Sequence, residues 1–348
     1  MGLTIKDVAT AAGVSIATVS RVLSPENSGN VAEKTRNRVT AATEKLGFRM
    51  NYAARSLKRH STMTIGVVFP GLANDFFMDV AEGIERELQL EGYTMLLSSS
   101  LNSMEKEKRR ISMLADRMVD GMVIIPAGSR GEHFQLLSDQ GIPIVLVDRI
   151  VEGAELDAVT SDNEEGTFSL TKALLSDGFK RIAFVGGEMT ISTARERLFG
   201  YTRAMTEAGI KPDSSWICLG GMDVEDGYRL MESLLYKENQ IEAMVAVNLL
   251  VHLGMERRLL DISGAGTGFK PPVVIAGFDE SRYTPFLPAC SYIASQDAVG
   301  IGKRAVQRLI EKIQEKRTNN FEKKTGERII RLPVTISRAK QKTAWASS

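Results

Sequence analysis

Cysteine and long apolar runs are both scarce in this chain of 348 residues. Its two cysteines, Cys218 and Cys290, form no CxxC motif and no disulfide framework, so we expect both to be small buried side chains. No apolar run approaches the ~20 residues that a membrane helix needs, and the first residues lack the pattern of a secretory signal. These absences argue against a membrane or secreted protein and predict a cytoplasmic one.

Catalytic motifs are missing as well. The sequence contains no Walker loop, no GxSxG motif and no HExxH motif. Its three histidines are scattered without the spacing of metal ligands. A glycine-rich stretch, GAGTG at 264–268, follows a helical pattern and precedes a strand, which reverses the order of a dinucleotide site. We therefore expect no catalytic residue, no metal and no cofactor, and we predict that the protein is not an enzyme.

Charge is balanced over the whole chain, with 44 Lys and Arg against 43 Asp and Glu, but it is unevenly distributed. Residues 1–62 carry a net charge of +6, and residues 63–348 carry −5. A basic segment at one end of a nearly neutral chain is typical of nucleic-acid contact. We expect DNA binding to be confined to residues 1–62 and to weaken strongly with salt.

Residues 4–48 have the pattern of three short helices. Thr4–Asp7 form a capping-box pattern that predicts a first helix, and Gly13 can take the positive φ that ends it. Ser15 can cap a second helix, and a third is predicted at about 32–46. Two short helices joined by a tight turn that contains glycine are typical of a helix-turn-helix.

From residue 64 onward, apolar runs of strand length alternate with amphipathic helices. The predicted strands are 64–69, 94–98, 121–125, 142–147, 181–185, 243–247 and 273–277. Continuous apolar strands separated by helices indicate parallel sheets that are buried on both faces. The body also repeats itself, since PIVLVD at 143–148 returns as PVVIAGFD at 272–279. Two similar α/β halves predict a ligand cleft at the carboxyl ends of the strands.

Several segments resemble the LacI/GalR family of bacterial transcription regulators. The sequence TIKDVATAAGVSIATVSRVL (4–23) is similar to the N-terminal signature of that family, and NYAARSL (51–57) to its hinge helix. TIGVVFPGLANDFF, KRIAFVGG, RERLFGY and VVIAGFDE are similar to segments of its effector-binding core. The resemblance implies a sequence-specific DNA-binding regulator, a repressor in the simplest case, whose operator affinity changes allosterically with a small sugar-type effector.

The implied fold is α/β, with a helix-turn-helix head and a hinge helix joined to a type I periplasmic-binding-protein-like core of two doubly wound parallel-sheet subdomains. The head is expected at 1–48, the hinge at 49–62, the effector-binding and dimerisation core at 63–338, and a polar tail at 339–348. The N-subdomain is expected at about 63–161 and 293–325, and the C-subdomain at about 162–292 and 326–338. The tail has no heptad pattern, so we expect a homodimer on a pseudo-palindromic operator rather than a tetramer.

The resemblance places the start of the second helix in the major groove of DNA. Arg21 is then expected to pair with a guanine, unless it contacts a phosphate, and Ile16 and Ala17 can pack against a thymine methyl. In the hinge helix, Leu57 is expected to wedge open a base step, unless it packs on the core. The full set of expected DNA contacts is Thr4, Ser15, Ile16, Ala17, Thr18, Ser20, Arg21, Asn30, Asn51, Tyr52, Ala54, Arg55, Leu57 and Lys58. Two features depart from the family pattern: Met50 stands in place of the usual proline, and the loop at 24–30 is long.

The resemblance also implies an effector pocket in the core. Arg197 matches the arginine that anchors the ligand, and Asp279 matches the carboxylate that accepts from ligand hydroxyls. The full expected set is Phe76, Phe77, Asp148, Arg149, Thr193, Arg197, Met222, Asn248 and Asp279. The structural alternatives are salt bridging by Arg197, strand capping by Asp148 and Asn248, and core packing by the two phenylalanines.

A set of acceptors, donors and aromatic rings suits a polyhydroxylated ligand. Met222 and Ile191 stand where a purine-binding member has a stacking aromatic ring and a base-reading arginine, so we do not expect a purine. Arg149 and Arg195 could neutralise an acid group, so a sugar acid or sugar phosphate stays open beside a neutral sugar.

Two other functions stay open. One is a catabolite-control regulator that uses a phosphoprotein corepressor, for which residues 101–113 offer a surface. The other is a sugar-binding receptor with no DNA role.

Overall fold

The computed structural model describes residues 3–23, 31–48, 61–235, 241–263, 271–318 and 327–339. The chain forms two compact units that divide between Thr62 and Met63. The hinge-helix prediction lies outside the described residues except for residues 61 and 62. The expected DNA contacts Asn30, Asn51, Tyr52, Ala54, Arg55, Leu57 and Lys58, the GAGTG loop and the tail beyond Ala339 also lie outside them.

The first unit contains the three predicted helices of the head. They are α1 (Ile5–Ala12), α2 (Ile16–Val22) and α3 (Glu33–Leu46). One valine from each helix, Val8, Val19 and Val39, is fully buried, and three alanines of α1 and α3 complete the centre of this small core. Because so little apolar area is buried, the geometry of the head depends on its caps and hydrogen bonds as well as on packing.

The second unit has two lobes, each built on a six-stranded sheet. The first lobe contains β1 (Thr64–Phe69), α4 (Asp75–Leu90), β2 (Thr94–Ser99), α5 (Met104–Asp116), β3 (Gly121–Ile124), α6 (Glu132–Asp139), β4 (Ile144–Val147), β5 (Asp157–Ser161), α11 (Ala298–Thr318) and β11 (Ile329–Leu332). Its strand order is β11-β5-β4-β3-β1-β2, and all neighbours are parallel.

The second lobe repeats this plan. It contains α7 (Asn163–Ser176), β6 (Ile182–Val185), α8 (Ser192–Glu207), β7 (Ile217–Cys218), α9 (Val224–Leu235), β8 (Ala243–Ala246), α10 (Leu249–Ser263), β9 (Val274–Phe278), β10 (Cys290–Gln296) and β12 (Val334–Arg338), with 3₁₀ turns at Ser214–Trp216 and Thr284–Phe286. Its order is β12-β10-β9-β8-β6-β7, and only β12 runs antiparallel, with Tyr292 opposite Arg338. The predicted doubly wound α/β fold is therefore confirmed.

Every strand predicted from an apolar run is present, whereas β5, β10, β11 and β12 were not predicted. The missed strands are short or polar. In β5, for example, the buried carboxylate of Asp157 accepts from Arg308 Nε at 3.0 Å and Lys312 Nζ at 2.8 Å. A buried strand whose polar groups are paired by other elements leaves no apolar run in the sequence.

The chain passes between the lobes three times, after Ser161, after Gln296 and after Leu332. The predicted subdomain ends are therefore wrong in two places. Strand β10 keeps residues 293–296 in the second sheet, and β11 brings residues 329–332 back to the first sheet, beside β5. Pro333 separates β11 from β12 because a residue without an N–H group cannot extend the ladder.

Helix α8 carries Arg197 and is held very close to α7. A Cβ atom on Gly200 would lie 2.1 Å from the carbonyl oxygen of Glu164, so only glycine allows this approach. The contact sets the position of Arg197 relative to the start of α7.

Candidate functional site: a DNA-reading head and an effector cleft

Side-chain hydrogen bonds hold both ends of α1, including the turn that connects α1 to α2. The Asp7 carboxylate accepts from the N–H and the hydroxyl of Thr4, both at 2.8 Å, and these bonds lower the pKa of Asp7. Gly13 ends the helix with a φ of 62°. Arg38 of α3 then donates from Nε to the carbonyl oxygen of Ala12 at 3.1 Å and from Nη2 to that of Gly13 at 3.0 Å.

Helix α2 presents most of the expected major-groove residues to solvent. Ser15 caps the helix by accepting from Thr18 N–H at 3.1 Å. Ile16, Ala17, Ser20 and Arg21 are exposed, although Val19 of the same helix is fully buried. Ile16 is 47% exposed. These residues lie on one exposed arc, as a helix that reads base edges requires.

Two aspartates occupy equivalent places in the two lobes. Asp148 follows β4 with a φ of 65°, and Asp279 follows β9 with a φ of 76°. Each donates its backbone N–H to the neighbouring strand at 2.9 Å, Asp148 to Val159 and Asp279 to Ala294. The side-chain amide of Gln296 donates to the Asp279 carboxylate. The repeated motif noted in the sequence therefore places a buried carboxylate at the carboxyl end of each sheet.

Arg149 lies beside Asp148 in the first lobe. Its Nη1 donates to the carbonyl oxygen of Pro126 at 2.8 Å, and its Nε is 3.7 Å from Asp148 Oδ2. Both side chains are buried, and burial raises the pKa of Asp148 to about 6, while the charges of Arg149 and Arg197 oppose this rise. Arg149 Nε has no hydrogen-bond partner among the described residues, so it can donate to a ligand.

Arg197 approaches the cleft from the second lobe. Its Nε donates to Asn163 Oδ1 at 2.8 Å, and its Nη1 donates to the carbonyl oxygen of Val247 at 2.7 Å. The guanidinium lies over the Phe278 ring at 3.6 Å, and burial lowers the pKa of the group. Two hydrogen bonds and a stacked ring leave this arginine little freedom to change rotamer.

The remaining expected residues have mixed surroundings. Asn248 donates to the carbonyl oxygen of Met222 at 3.0 Å and accepts from Val251 N–H at 2.9 Å, so it caps helix α10, whereas the structural alternative was strand capping. Phe76 and Phe77 are buried, with ring centroids 5.8 Å apart. Thr193 is buried at the start of α8, next to a contact between the lobes in which Ser192 Oγ accepts from Ile150 N–H at 2.9 Å.

Asp148, Arg149, Arg197 and Asp279 lie close enough to influence one another. The charges of Arg149, Arg197 and Asp279 all act on Asp148, and those of Asp148 and Asp279 act on Arg197. Two guanidinium groups and two carboxylates from both lobes therefore meet in one buried region. No group of three or more His, Cys, Asp or Glu side chains in the described part of the chain could hold a metal ion.

Known proteins match the two units separately. Residues 4–51 match the model described as "Bacterial regulatory proteins, lacI family", and residues 62–338 match "Periplasmic binding proteins and sugar binding domain of LacI family". The chain belongs to the LacI family. Because the match includes the DNA-binding head, this LacI-family chain is a DNA-binding transcription regulator, and a receptor without a DNA role is not supported.

Its relatives include several curated LacI-family regulators. RegA of Clostridium saccharobutylicum is 33% identical over 320 residues, which is 91% of this chain and 94% of RegA. Catabolite control protein A of Priestia megaterium is 32% identical over 91% of this chain and 94% of its own. The repressor PurR of Pasteurella multocida is 31% identical over 90% and 92%.

Solved structures share the fold over almost the whole length of the chain. A complex of the regulator CelR with cellobiose superposes with a TM-score of 0.70 at 25% identity, covering 97% of this chain and all of that one. A lac repressor dimer bound to operator gives a TM-score of 0.81 at 24% identity, covering 98% and 100%. Within the described residues, no helix is both long and apolar enough to cross a bilayer.

Sequence reasoning missed Asn163 and Gln296, which contact Arg197 and Asp279 respectively. Both stand at the carboxyl end of a strand that was not recognised, β5 in one case and β10 in the other. It also missed Arg38, whose role depends on a contact 25 residues away in the sequence. Asn163 and Gln296 could have been found from their positions at the ends of strands, because polar residues that follow the strands of a parallel sheet line the edge where ligands bind.

Proposed function

We propose that this LacI-family regulator is a homodimer whose operator affinity is set by a small polyhydroxylated effector bound at Asp148, Arg149, Arg197 and Asp279. The observation that carries the proposal is the burial of these four charged groups, from both lobes, near the carboxyl ends of the parallel strands of the two sheets. Burying a charge costs free energy unless the charge is paired and hydrogen-bonded, and clusters of buried charge are typical of functional sites.

The charge balance of the site supports a neutral sugar as the effector. The site matches two arginines with two aspartates, so an anionic ligand would add a charge that has no partner of opposite sign. A sugar offers hydroxyl groups that donate to the carboxylates and accept from Arg149 Nε. That a structural neighbour was solved with cellobiose also favours a sugar. We do not expect turnover of the bound ligand, since the relatives are regulators.

A binding panel tests the effector proposal. Cellobiose, ribose, gluconate and fructose 1-phosphate are titrated into the full chain by calorimetry, with thermal shift as a second readout. We expect a neutral sugar to bind and Asp279→Asn to weaken it about 10-fold or more, because a carboxylate acceptor becomes a neutral amide. Binding of only the phosphate ester would replace the neutral sugar with an anionic effector. Binding that Asp279→Asn leaves unchanged would contradict the site.

The DNA side is tested with operators selected from a random pool by the purified protein. We propose that the head contacts DNA through Thr4, Ser15, Ile16, Ala17, Thr18, Ser20 and Arg21, and that the protein acts in the cytoplasm. Arg21→Ala should lower discrimination at one base pair by about 1–3 kcal/mol while other positions keep theirs. An equal loss on every operator variant would show that Arg21 contacts phosphate.

Exposed apolar side chains support the homodimer. In the second lobe, Leu260 of α10, one turn after Glu256, and Tyr283 and Phe286 of the loop before β10 are each at least 46% exposed. The loop that carries Phe286 is held against α10 by Glu256, whose carboxylate accepts from Ala289 N–H at 3.0 Å. Apolar side chains grouped in this way on a rigid element are typical of a subunit interface.

The relationship to catabolite control protein A favours one alternative, regulation by a phosphoprotein corepressor. Helix α5 exposes Lys106, Lys108 and Arg109, which could receive a phosphorylated side chain. A pull-down with phosphorylated and unphosphorylated carrier protein separates the two functions. Retention of only the phosphorylated form would support the alternative.

A further inference from the structure

Asn163 is a fully buried polar residue at the first chain crossing between the lobes. It begins α7, two residues after β5 ends, so its backbone lies where the first lobe becomes the second. Its amide nitrogen donates to Ser161 O at 3.1 Å, to Glu196 Oε2 at 3.1 Å and to Thr160 Oγ1 at 3.4 Å. Its amide oxygen accepts from Arg197 Nε at 2.8 Å.

These bonds connect the two halves of the effector site through one side chain. On the first-lobe side, the Thr160 hydroxyl that accepts from Asn163 donates to the carbonyl oxygen of Asp148 at 2.6 Å. On the second-lobe side, Asn163 holds the guanidinium of Arg197. The path from Asp148 to Arg197 therefore contains two side chains, Thr160 and Asn163, both buried.

Glu196 connects Asn163 to the strand that precedes the third chain crossing, β11. The carboxylate that accepts from Asn163 also accepts two bonds from Arg331 of β11, at 2.8 and 3.2 Å. Strand β11 belongs to the sheet of the first lobe, whereas Glu196 lies on α8 of the second. Any change in the angle between the lobes must therefore alter the surroundings of Asn163.

We propose that Asn163 is a positioning residue for the effector arginine, and that it makes the orientation of Arg197 depend on the angle between the lobes. The inference rests on the proposed effector site. An effector that binds Arg197 then also affects the hydrogen bonds of Asn163, where the chain passes from one lobe to the other. An asparagine suits this position because it donates to Glu196 and accepts from Arg197 at once.

Three variants distinguish the donor role of the Asn163 amide from its acceptor role. Asn163→Leu removes the donor and the acceptor, and Asn163→Ser keeps a polar group that is too short to reach Arg197. Asn163→Asp keeps an acceptor for Arg197 but loses the donor to Glu196. Thr171→Val is the matched control, since Thr171 is fully buried on the same helix and its hydroxyl bonds only to Thr167 O among the described residues, at 2.8 Å.

The test that needs no ligand is the exchange of the Arg197 Nε proton with water, measured by NMR on the full chain and assigned by its loss in Arg197→Lys. We expect slow exchange in the wild type, in Asn163→Asp and in Thr171→Val. We expect exchange at least about 10-fold faster in Asn163→Leu and in Asn163→Ser, because the acceptor is gone. Unchanged exchange in a folded Asn163→Ser protein, or an equal rise in Thr171→Val, would overturn the proposal.

The second readout is binding of the panel of cellobiose, ribose, gluconate and fructose 1-phosphate. For the compound that binds the wild type, we expect Asn163→Ser to raise Kd about 10-fold and Thr171→Val to leave it unchanged. An unchanged Kd in Asn163→Ser would overturn the inference and keep the effector site. Failure of every compound to bind the wild type would instead overturn the proposed effector, and with it the role of Asn163 in binding.

Discussion

At the scale of single residues, the cleft combines buried charge with an unfavourable backbone conformation. Asp148 and Asp279 both have positive φ, which costs a residue with a side chain about 1 kcal/mol or more. Both are also buried, and burial penalises the ionised form of Asp148. These costs persist because the neighbouring strands hold the backbone in place. Residues kept against such costs are typical of binding sites.

Asp148 should make the stability of the protein depend on pH. Its pKa of about 6 lies above the value of about 3.9 in an unfolded chain, so the folded state binds the proton more tightly. The unfolding free energy of the wild type, relative to Asp148→Asn, should therefore fall by up to about 3 kcal/mol as the pH rises from 4 to 7.5. Urea denaturation at several pH values measures this difference.

Asp213→Asn is the control for this experiment, because Asp213 is exposed and accepts from Ser215 N–H, which lowers its pKa. Its pH profile should not show the same fall. If wild type and Asp148→Asn lost stability in parallel across this range, the carboxyl group would not be the cause.

Arg38 should hold the reading helix in place through the end of α1. Arg38→Ala removes hydrogen bonds from a charged donor to the carbonyl groups of Ala12 and Gly13, which we expect to destabilise the head by about 1–3 kcal/mol. Hydrogen exchange of α1 and α2 measures the loss, and operator affinity should fall with it. Lys34→Ala removes the same charge from the same helix, and equal effects of the two variants would point to charge alone.

At the scale of elements, local patterns predicted more than long-range ones. The capping box at Thr4 and the left-handed Gly13 are both present, because each depends on residues within one turn. Strand β5 was missed because its polar residues are satisfied by groups of α11, about 150 positions later in the chain. Asn163 and Gln296, which bond to Arg197 and Asp279, were also missed, because their partners are distant in the sequence.

The contact between α7 and α8 should be intolerant of a single methyl group. Gly200→Ala would place a Cβ atom 2.1 Å from Glu164 O, so the helices must separate, and we expect a loss of about 2 kcal/mol or more in the free energy of unfolding. Effector affinity should fall too, because α8 carries Arg197. Gly71→Ala is the control, since no atom lies within 4 Å of its Cβ position. Equal stability of the two variants would rule out this packing argument.

At the scale of the whole molecule, one subunit supplies one head of modest size and charge. A second head on the same operator multiplies affinity without new contacts, because the second binding event becomes intramolecular. The proposed subunit interface on the second lobe should therefore contribute to operator affinity together with the head. The family resemblance favoured a homodimer, but the sequence alone did not indicate which residues form the subunit interface. The exposures in the structure were needed to propose them.

Phe286→Glu should convert the dimer to monomers. The side chain is 68% exposed, so the folding of the subunit should be unaffected, while a charge in the interface should weaken association about 100-fold or more. Analytical ultracentrifugation measures the mass, and affinity for a selected operator should fall in parallel. Leu90→Glu changes a leucine of α4 that is 80% exposed and should do neither. A dimeric Phe286→Glu protein would move the interface elsewhere.

The interleaved ends of the two sheets also constrain the synthesis of the protein. Strands β11 and β12 are the outermost strands of the first and second sheets, and only Pro333 separates them in the chain. Neither lobe can complete its sheet on the ribosome until this last pair of strands has left the exit tunnel. The two lobes therefore complete their sheets at nearly the same time, and a premature stop before residue 329 would remove an edge strand from both sheets at once.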